Sequence, residues 1–264
     1  MKLAILHELN AERAARRPAI LVTNTETGEQ RLVKSADFAK DPLRDELDKQ
    51  LRMGKSASVE AGGKKLFLNV YAPTAKLVIV GAVHISQALA PLARSLGYDV
   101  TVVDPRTAFA SAERFPDIPL VAEWPDTALP PLNVDAYTAF ASPERFPDIP
   151  LVAEWPDTAL PPLNVDAYTA FVAVTHDPKI DDPALLHAFE RNCFYIGALG
   201  SRKTHAKRGD RLRAQGARDS DIARIHAPIG LAIGAVSPSE IAVSIMAEIT
   251  AVLRLPPKQK EEAA

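Results

Sequence analysis

The chain has 264 residues, 47% hydrophobic and 24% charged, and a formal net charge of −2. That is the composition of a folded globular protein, and it offers no electrostatic hold on nucleic acid. A single cysteine excludes an internal disulfide framework and any cysteine-rich zinc or iron–sulfur site.

The opening stretch places Leu3, Ile5, Leu6 and Leu9 on one face of a short helix. It lacks the apolar core and cleavage site of a signal peptide, and no later run reaches the ~20 apolar residues of a membrane span. The expected location is therefore the cytoplasm, with no membrane partner. Ala19 to Thr23 and Glu29 to Val33 read as strands around a turn ending at Gly28, followed by a helix capped by Asp41, with Pro42 first, that runs to Met53. Ser56 to Glu60 and Lys65 to Tyr71 form a hairpin over Gly62-Gly63. These elements make a small α+β domain over residues 1–72, with Ala72-Pro73-Thr74 as linker.

From Lys76 the pattern changes. Leu77 to Val83 is a continuous apolar run, as a strand buried on both faces requires. Helix His84 to Leu96 and strand Val100 to Val103 follow, ending at Asp104. Later come strand Ala170 to Val174, helix Pro183 to Arg191, strand Phe194 to Ala198 and helix Arg202 to Ala214. This alternation predicts an α/β domain with a Rossmann-like, doubly wound parallel sheet over residues 73–255. Its last helix carries a capping box, with Ser237 as cap, Pro238 first and Glu240 three residues on, and a stripe of Ile241, Ile245, Ile249 and Val252. Residues 256–264 read as a disordered tail.

Residues 107–140 recur as 138–171 at a period of 31, differing only where Ala112 becomes Pro143, so the unique sequence is 264 − 31 = 233 residues. Each copy offers a strand (Ile-Pro-Leu-Val-Ala-Glu) and a short helix (Pro-Asp-Thr-Ala-Leu). Two units fall short of a solenoid, so the repeat reads as a tandem duplication inside a finished fold, with the sheet seating one copy and the other packing poorly.

Three turns carry the chemistry. Gly81-Ala82-Val83-His84-Ile85-Ser86 has the place of a dinucleotide loop but only its first glycine. Asp104, 23 residues on, stands where an acid would hold a ribose, and Arg106 where a cation would meet a 2′-phosphate. The turn reads either as an NAD(P) site or as a Rossmann scaffold without one. Gly197 to His205 combines Gly200, Ser201, Arg202, Lys203 and His205 at a strand-to-helix turn, which suits a phosphate; the alternative is a solvated basic face. His176 and Asp177 end another strand, either to bond a polar ligand or as a buried histidine and a turn cap. His226 falls in a rigid turn, and Cys193 reads as a buried, inert thiol.

The segments VIVGAVHISQAL, VTVVDPR, ERFPDIPL with AEWPD, VAVTHDPKIDDPALL, YIGALGSRKTHAKR and RIHAPIGLAIGAVSPSEIAVSIMAEI resemble, in order, the C-terminal half of the XdhC/CoxI family of xanthine dehydrogenase accessory proteins. The resemblance covers Lys76 to Leu255. It implies a non-catalytic chaperone that binds molybdenum cofactor, promotes its sulfuration with a cysteine desulfurase and delivers it to a molybdenum hydroxylase apoenzyme. On that reading Ser201, Arg202, Lys203 and His205 hold the pterin phosphate, while Gly81, His84, Asp104, His176 and Asp177 line the same crevice. The family's N-terminal S-G-G-C motif has no counterpart, since Gly62-Gly63 is followed by Lys64-Lys65. A separate XdhC-like subunit would then supply that thiol. Rival expectations are an NAD(P)-dependent oxidoreductase and a scaffold that binds only a partner. The duplication also allows a segment-exchanged homodimer.

Overall fold

The computed structural model describes residues 2–107, 146 and 148–256. The chain divides into two compact units, Met1–Thr74 with Val252–Ala264, and Ala75–Ala251. The first contains α1 (Leu3–Ala14), β1 (Ala19–Asn24), β2 (Gln30–Lys34), a 3₁₀ turn (Ser35–Lys40), α2 (Arg44–Met53), β3 (Ala57–Ala61) and β4 (Lys64–Tyr71). Its strands pair antiparallel in the order β2-β1-β4-β3. Ile20, Val22, Leu68 and Val33 from the sheet meet Phe38 and Leu47 in its core.

Two expectations shift here. Helix α2 starts at Arg44, because Asp41 is engaged elsewhere: its carboxylate accepts the Arg31 guanidinium and the Leu43 N–H, closing a turn ahead of the helix. In α1 only Leu9 of the apolar set is buried, while Leu3 and Leu6 are exposed.

The second unit contains β5 (Lys76–Val80), α3 (His84–Ser95), β6 (Asp99–Val103), β7 (Leu151–Val152), α4 (Pro156–Ala159), β8 (Thr169–Ala173), α5 (Pro178–Glu190), β9 (Tyr195–Ala198), α6 (Arg202–Ala214), α7 (Asp219–Ile222), β10 (Ile225–His226) and all but the last three residues of α8 (Pro238–Arg254). All six strands run parallel in the order β10-β9-β8-β5-β6-β7. Read from the β7 edge, that order is the 3-2-1-4-5-6 arrangement of the doubly wound Rossmann fold, and it switches direction between β5 and β8.

The apolar run of β5 divides by the two-residue period of a strand. Leu77 and Ile79 join Leu89, Ala93, Ile245 and Ile249 of α3 and α8 on one face. Val78 and Val80 join Ile180, Ala184 and Leu185 of α5 and Leu212 of α6 on the other. Each such side chain, removed from water on both sheet faces, contributes about 1.5–3 kcal/mol. The capping box of α8 forms as expected: Glu240 accepts the Ser237 N–H at 2.8 Å, and Ser237 Oγ accepts the Glu240 N–H at 3.3 Å. Val252, at the end of the expected stripe, is exposed.

Helix α5 begins five residues before the expected Pro183. Asp177 caps it by accepting the Lys179 N–H at 2.9 Å, and Pro178 sits at its first position. Pro183 falls inside the helix, where its absent N–H costs one backbone bond. The second repeat copy supplies strand β7, paired to β6 through Val102↔Leu151 and Val103↔Val152. The first copy lies almost wholly outside the described residues, as does the tail after Pro256. No helix among the described residues is long and apolar enough to cross a membrane.

Candidate functional site

In an open parallel sheet the ligand crevice lies beyond the carboxyl ends of the strands, at the switch point. Here that point is the β5–β8 junction. The Gly81 N–H donates to Val103 O at 2.8 Å and the Val174 N–H to Val80 O at 2.9 Å, so the turn after β5 is locked to both neighbouring strands. Gly81 has φ +117°, and a Cβ there would lie 2.9 Å from Thr175 Cγ2, 3.1 Å from Thr175 N and 3.2 Å from Val174 C. Two of these three atoms are backbone and cannot turn aside. Gly81 is therefore demanded by the close approach of the chain leaving β8. Gly81→Ala is expected to destabilise this unit by roughly 2–4 kcal/mol, combining backbone strain with overpacking. Chemical denaturation checks it, and a loss under ~0.5 kcal/mol would contradict the account.

Asp104 is fully buried at the end of β6. Its Oδ2 accepts the Ala82 N–H at 2.7 Å and Arg106 Nη2 at 2.5 Å, and its Oδ1 accepts the Arg106 N–H at 3.1 Å and Nε at 2.8 Å. Four donors fill the acceptor capacity of one carboxylate. The acid that sequence position offers to a ribose is thus spent on holding the β5–α3 turn. Ser86, where a dinucleotide loop would carry its third glycine, is buried and donates to the Gly81 carbonyl. Burial pulls the Arg106 guanidinium down, but Asp104, Asp177 and Asp181 more than offset it and hold its pKa above the ordinary value. His84 opens α3 from an exposed position.

At the end of β8, Thr175 Oγ1 donates to Asp181 Oδ1 at 2.6 Å. His176 follows with φ +62°, a left-handed backbone unusual for a side-chain-bearing residue, and is exposed. Partial desolvation and the nearby charge of Arg208 hold its pKa below the usual histidine value. Asp181 is almost fully buried, and burial pushes its carboxyl up to about 6 despite Thr175 and Arg208.

At the third strand end, Ser201 caps α6 and its Oγ accepts the Thr204 N–H at 3.2 Å. Ser201, Arg202 and Lys203 are exposed, and His205 is half-buried. The cation that enters the crevice wall is a different one. Arg208 is 2% exposed, and its Nη2 donates to Leu199 O at 2.7 Å, on the backbone just before Gly200. Its Nε and Nη1 are buried without a hydrogen-bond partner, as is Nδ1 of His205. The charges of Arg208 and of Asp104, Arg106, Asp177 and Asp181 thus converge from the ends of β6, β8 and β9.

Sequence position favours the cations nearest the turn and gives Arg208, with Lys207, only an extension of their charge. A signal is nonetheless present: Ser201, His205, Arg208 and Leu212 fall at i, i+4, i+7 and i+11, one face of a helix. Leu212 of that stripe is fully buried, so a cation in line with it is placed against the sheet. A second cluster also goes unannounced in the sequence. Glu248 of α8 accepts Tyr195 Oη at 2.6 Å and the Gly230 N–H at 2.8 Å, and lies 3.1 Å from His226 Nδ1. The His226 ring stacks on Tyr195 with centroids 4.6 Å apart. Burial alone would raise the Glu248 carboxyl, but His226, Tyr195 and Gly230 outweigh it and hold it below the usual range. Cys193 is buried, and burial pushes its thiol up to about 12, so it stays protonated and unreactive.

Comparison with known proteins bears on the family and the fold. The XdhC Rossmann domain family matches residues 77–249. The chain is 30% identical over 193 residues to an uncharacterized Escherichia coli protein, YqeB, covering 72% of this chain and 30% of that protein. It is 29% identical over 185 residues to a probable xanthine dehydrogenase subunit of Bacillus subtilis, covering 70% of this chain and 44% of the relative. A 77-residue stretch is 36% identical to the E. coli molybdenum cofactor insertion chaperone PaoD, covering 29% of this chain and 24% of the chaperone. The chain thus spans less than half the length of the curated relatives it matches. A crystal structure of a xanthine dehydrogenase from Bacillus halodurans shares the fold, with TM-score 0.57 and 21% identity over 94% of this chain and 66% of that one. With a Rossmann sheet of the 3-2-1-4-5-6 order and a family match over 173 consecutive residues (249 − 77 + 1) of this unit, the chain belongs to the XdhC family.

Proposed function

We propose that the chain is a carrier that holds molybdenum cofactor in the crevice beyond β5, β8 and β9, and assists its sulfuration or insertion into a xanthine dehydrogenase-type molybdenum hydroxylase. The observation that carries this reading is the set of buried polar atoms left without partners at the crevice, Arg208 Nε and Nη1 with His205 Nδ1. Buried polar groups are normally bonded, and a guanidinium with two nitrogens left unpartnered fits a polar, anionic ligand. Membership of the XdhC family and the name of the chaperone among its relatives support molybdenum cofactor as that ligand. On this reading Gly200, Ser201 and His205 face the ligand together with Arg208, the exposed Arg202 and Lys203 lie outside its direct contacts, and His176, Asp177 and His84 border it. The bound cofactor supplies the metal redox centre of the recipient enzyme; this chain's residues bind and orient it.

Sulfur has to come from elsewhere. Cys193 is the sole cysteine and is held protonated by burial, so a cysteine desulfurase or a separate XdhC-like subunit is the fitting donor, in the cytoplasm. An NAD(P) site finds no support in the filled carboxylate of Asp104. The test is equilibrium binding of molybdenum cofactor to the purified chain, with NADPH in parallel.

A further inference from the structure

We propose that Arg208, together with the N-terminus of α6, is the seat of a phosphate monoester, the anionic end of the ligand that fills the crevice. The identity of that ligand rests on the reading above; the seat itself rests on the geometry of α6.

A guanidinium has five N–H donors. In Arg208 only Nη2 is engaged, with Leu199 O at 2.7 Å, while Nε and Nη1 are buried and unpartnered. Among the described residues Arg208 makes no ion pair. Asp182, its acidic neighbour, is held bidentate by Arg211 at 2.6 and 3.0 Å, and Asp181 accepts from Thr175. A buried cation left this way is costly unless an anion completes it. The bond to Leu199 O places the guanidinium beside the Leu199-Gly200-Ser201 turn. There the first N–H groups of α6, at Arg202 and Lys203, have no intrahelical acceptor and carry the positive end of the helix dipole. The buried Nδ1 of His205, one turn before Arg208, adds a further unpartnered nitrogen. A planar guanidinium fork held beside the first N–H groups of a helix suits a tetrahedral oxyanion carrying two charges.

Arg202 and Lys203 are the more obvious phosphate ligands by sequence, but both are exposed. Solvated cations gain little from an anion, whereas a desolvated one gains several times more.

The experiment titrates the full chain with inorganic phosphate, following the thermal midpoint and the Nε–H resonance of Arg208. In the wild type the midpoint should rise with phosphate, as mass action requires of a ligand that binds only the folded state, and the Nε–H resonance should move with it. Arg208→Met should weaken phosphate binding roughly ten- to hundredfold, the worth of hydrogen bonds to a charged group, with Arg208→Lys in between. The double variant Arg202→Ala, Lys203→Ala should bind within about threefold of wild type, as expected of exposed charges. A purely structural arginine would instead make Arg208→Met less stable without moving the phosphate response. An immobile wild-type Nε–H resonance overturns the proposal even if both Arg208 variants fail to fold. So does phosphate binding that survives in Arg208→Met or vanishes in the double variant. Phosphate should also compete with molybdenum cofactor, and simultaneous binding of the two would overturn the assignment to the ligand's own phosphate. A chain that seats phosphate at Arg208 yet binds no pterin would sink the cofactor reading alone.

Discussion

Glu248→Ala is expected to destabilise the Rossmann unit by roughly 2–4 kcal/mol, because one carboxylate serves three donors, among them the buried Tyr195 hydroxyl. Tyr195 is 1% exposed, and its hydroxyl, which bonds Glu248 at 2.6 Å, loses its acceptor in that variant. The Gly230 N–H and His226 Nδ1 lose the same acceptor. Glu248→Gln keeps the shape but turns an amide donor towards one of these donors, and should cost about 1–3 kcal/mol. The pH dependence separates the charge from the packing. The folded-state pKa of Glu248 lies below the ordinary glutamate value of 4.5. Its ionic contribution is therefore fully present above pH ~4.5 and is lost as pH falls through the folded value. Denaturation of wild type and Glu248→Gln across pH 3–7 should show their difference shrinking on the acid side. A difference constant over that range would contradict the account.

Asp181→Asn should do the opposite, which makes it the sharper test of the crevice electrostatics. Asp181 is 2% exposed, and burial raises its carboxyl from 3.8 to about 6 even though Thr175 and Arg208 favour the charged form. The folded state thus holds the proton more tightly than the unfolded state. Stability falls as pH rises from ~3.8 through ~6 and is flat beyond. At pH 7 the ionised carboxylate costs about 1–3 kcal/mol, since each tenfold change in proton affinity is worth about 1.4 kcal/mol and a neutral amide gives back some bond strength. Asn can still accept from Thr175 through its Oδ1. The variant is therefore expected to match or fall below wild type near pH 4 and to exceed it at pH 7. If Asp181→Asn is less stable at pH 7, or the difference does not vary with pH, the carboxylate is not strained by burial.

The layout of the fold was legible because apolar runs and caps act locally. The uninterrupted, β-branched Leu77-Val78-Ile79-Val80 run reads as a doubly covered strand, and the Ser237–Glu240 capping box marks the start of α8 through bonds that span three residues. Boundaries failed where a side chain found a distant partner. Asp41 is taken by Arg31 ten residues back, so it caps no helix. The two-residue strand β10 and the four-residue helix α7 are too short to carry a period, and only pairing with β9 defines β10.

The candidate site was legible as a set of strand ends and less so as a set of contacts. Position alone put Gly81, Asp104, His176 and Gly200 at the crevice edge. What each does there is a tertiary matter. The tight packing of Thr175 explains Gly81, and Arg106 fills Asp104. Arg202 and Lys203 stand out in sequence and Arg208 reads only as an extension of their charge, since adjacency to a glycine turn is visible there and burial of a cation two turns into a helix is not. The Tyr195–His226–Glu248 cluster joins residues 53 and 22 positions apart, a separation that no local pattern announces.

The central claim is that this XdhC-family chain carries molybdenum cofactor, and an equilibrium titration of the purified protein with that cofactor, run beside NADPH, tests it most directly. Saturable pterin binding with no response to NADPH is the predicted result. Saturable NADPH binding without pterin binding, or silence from both, would contradict it.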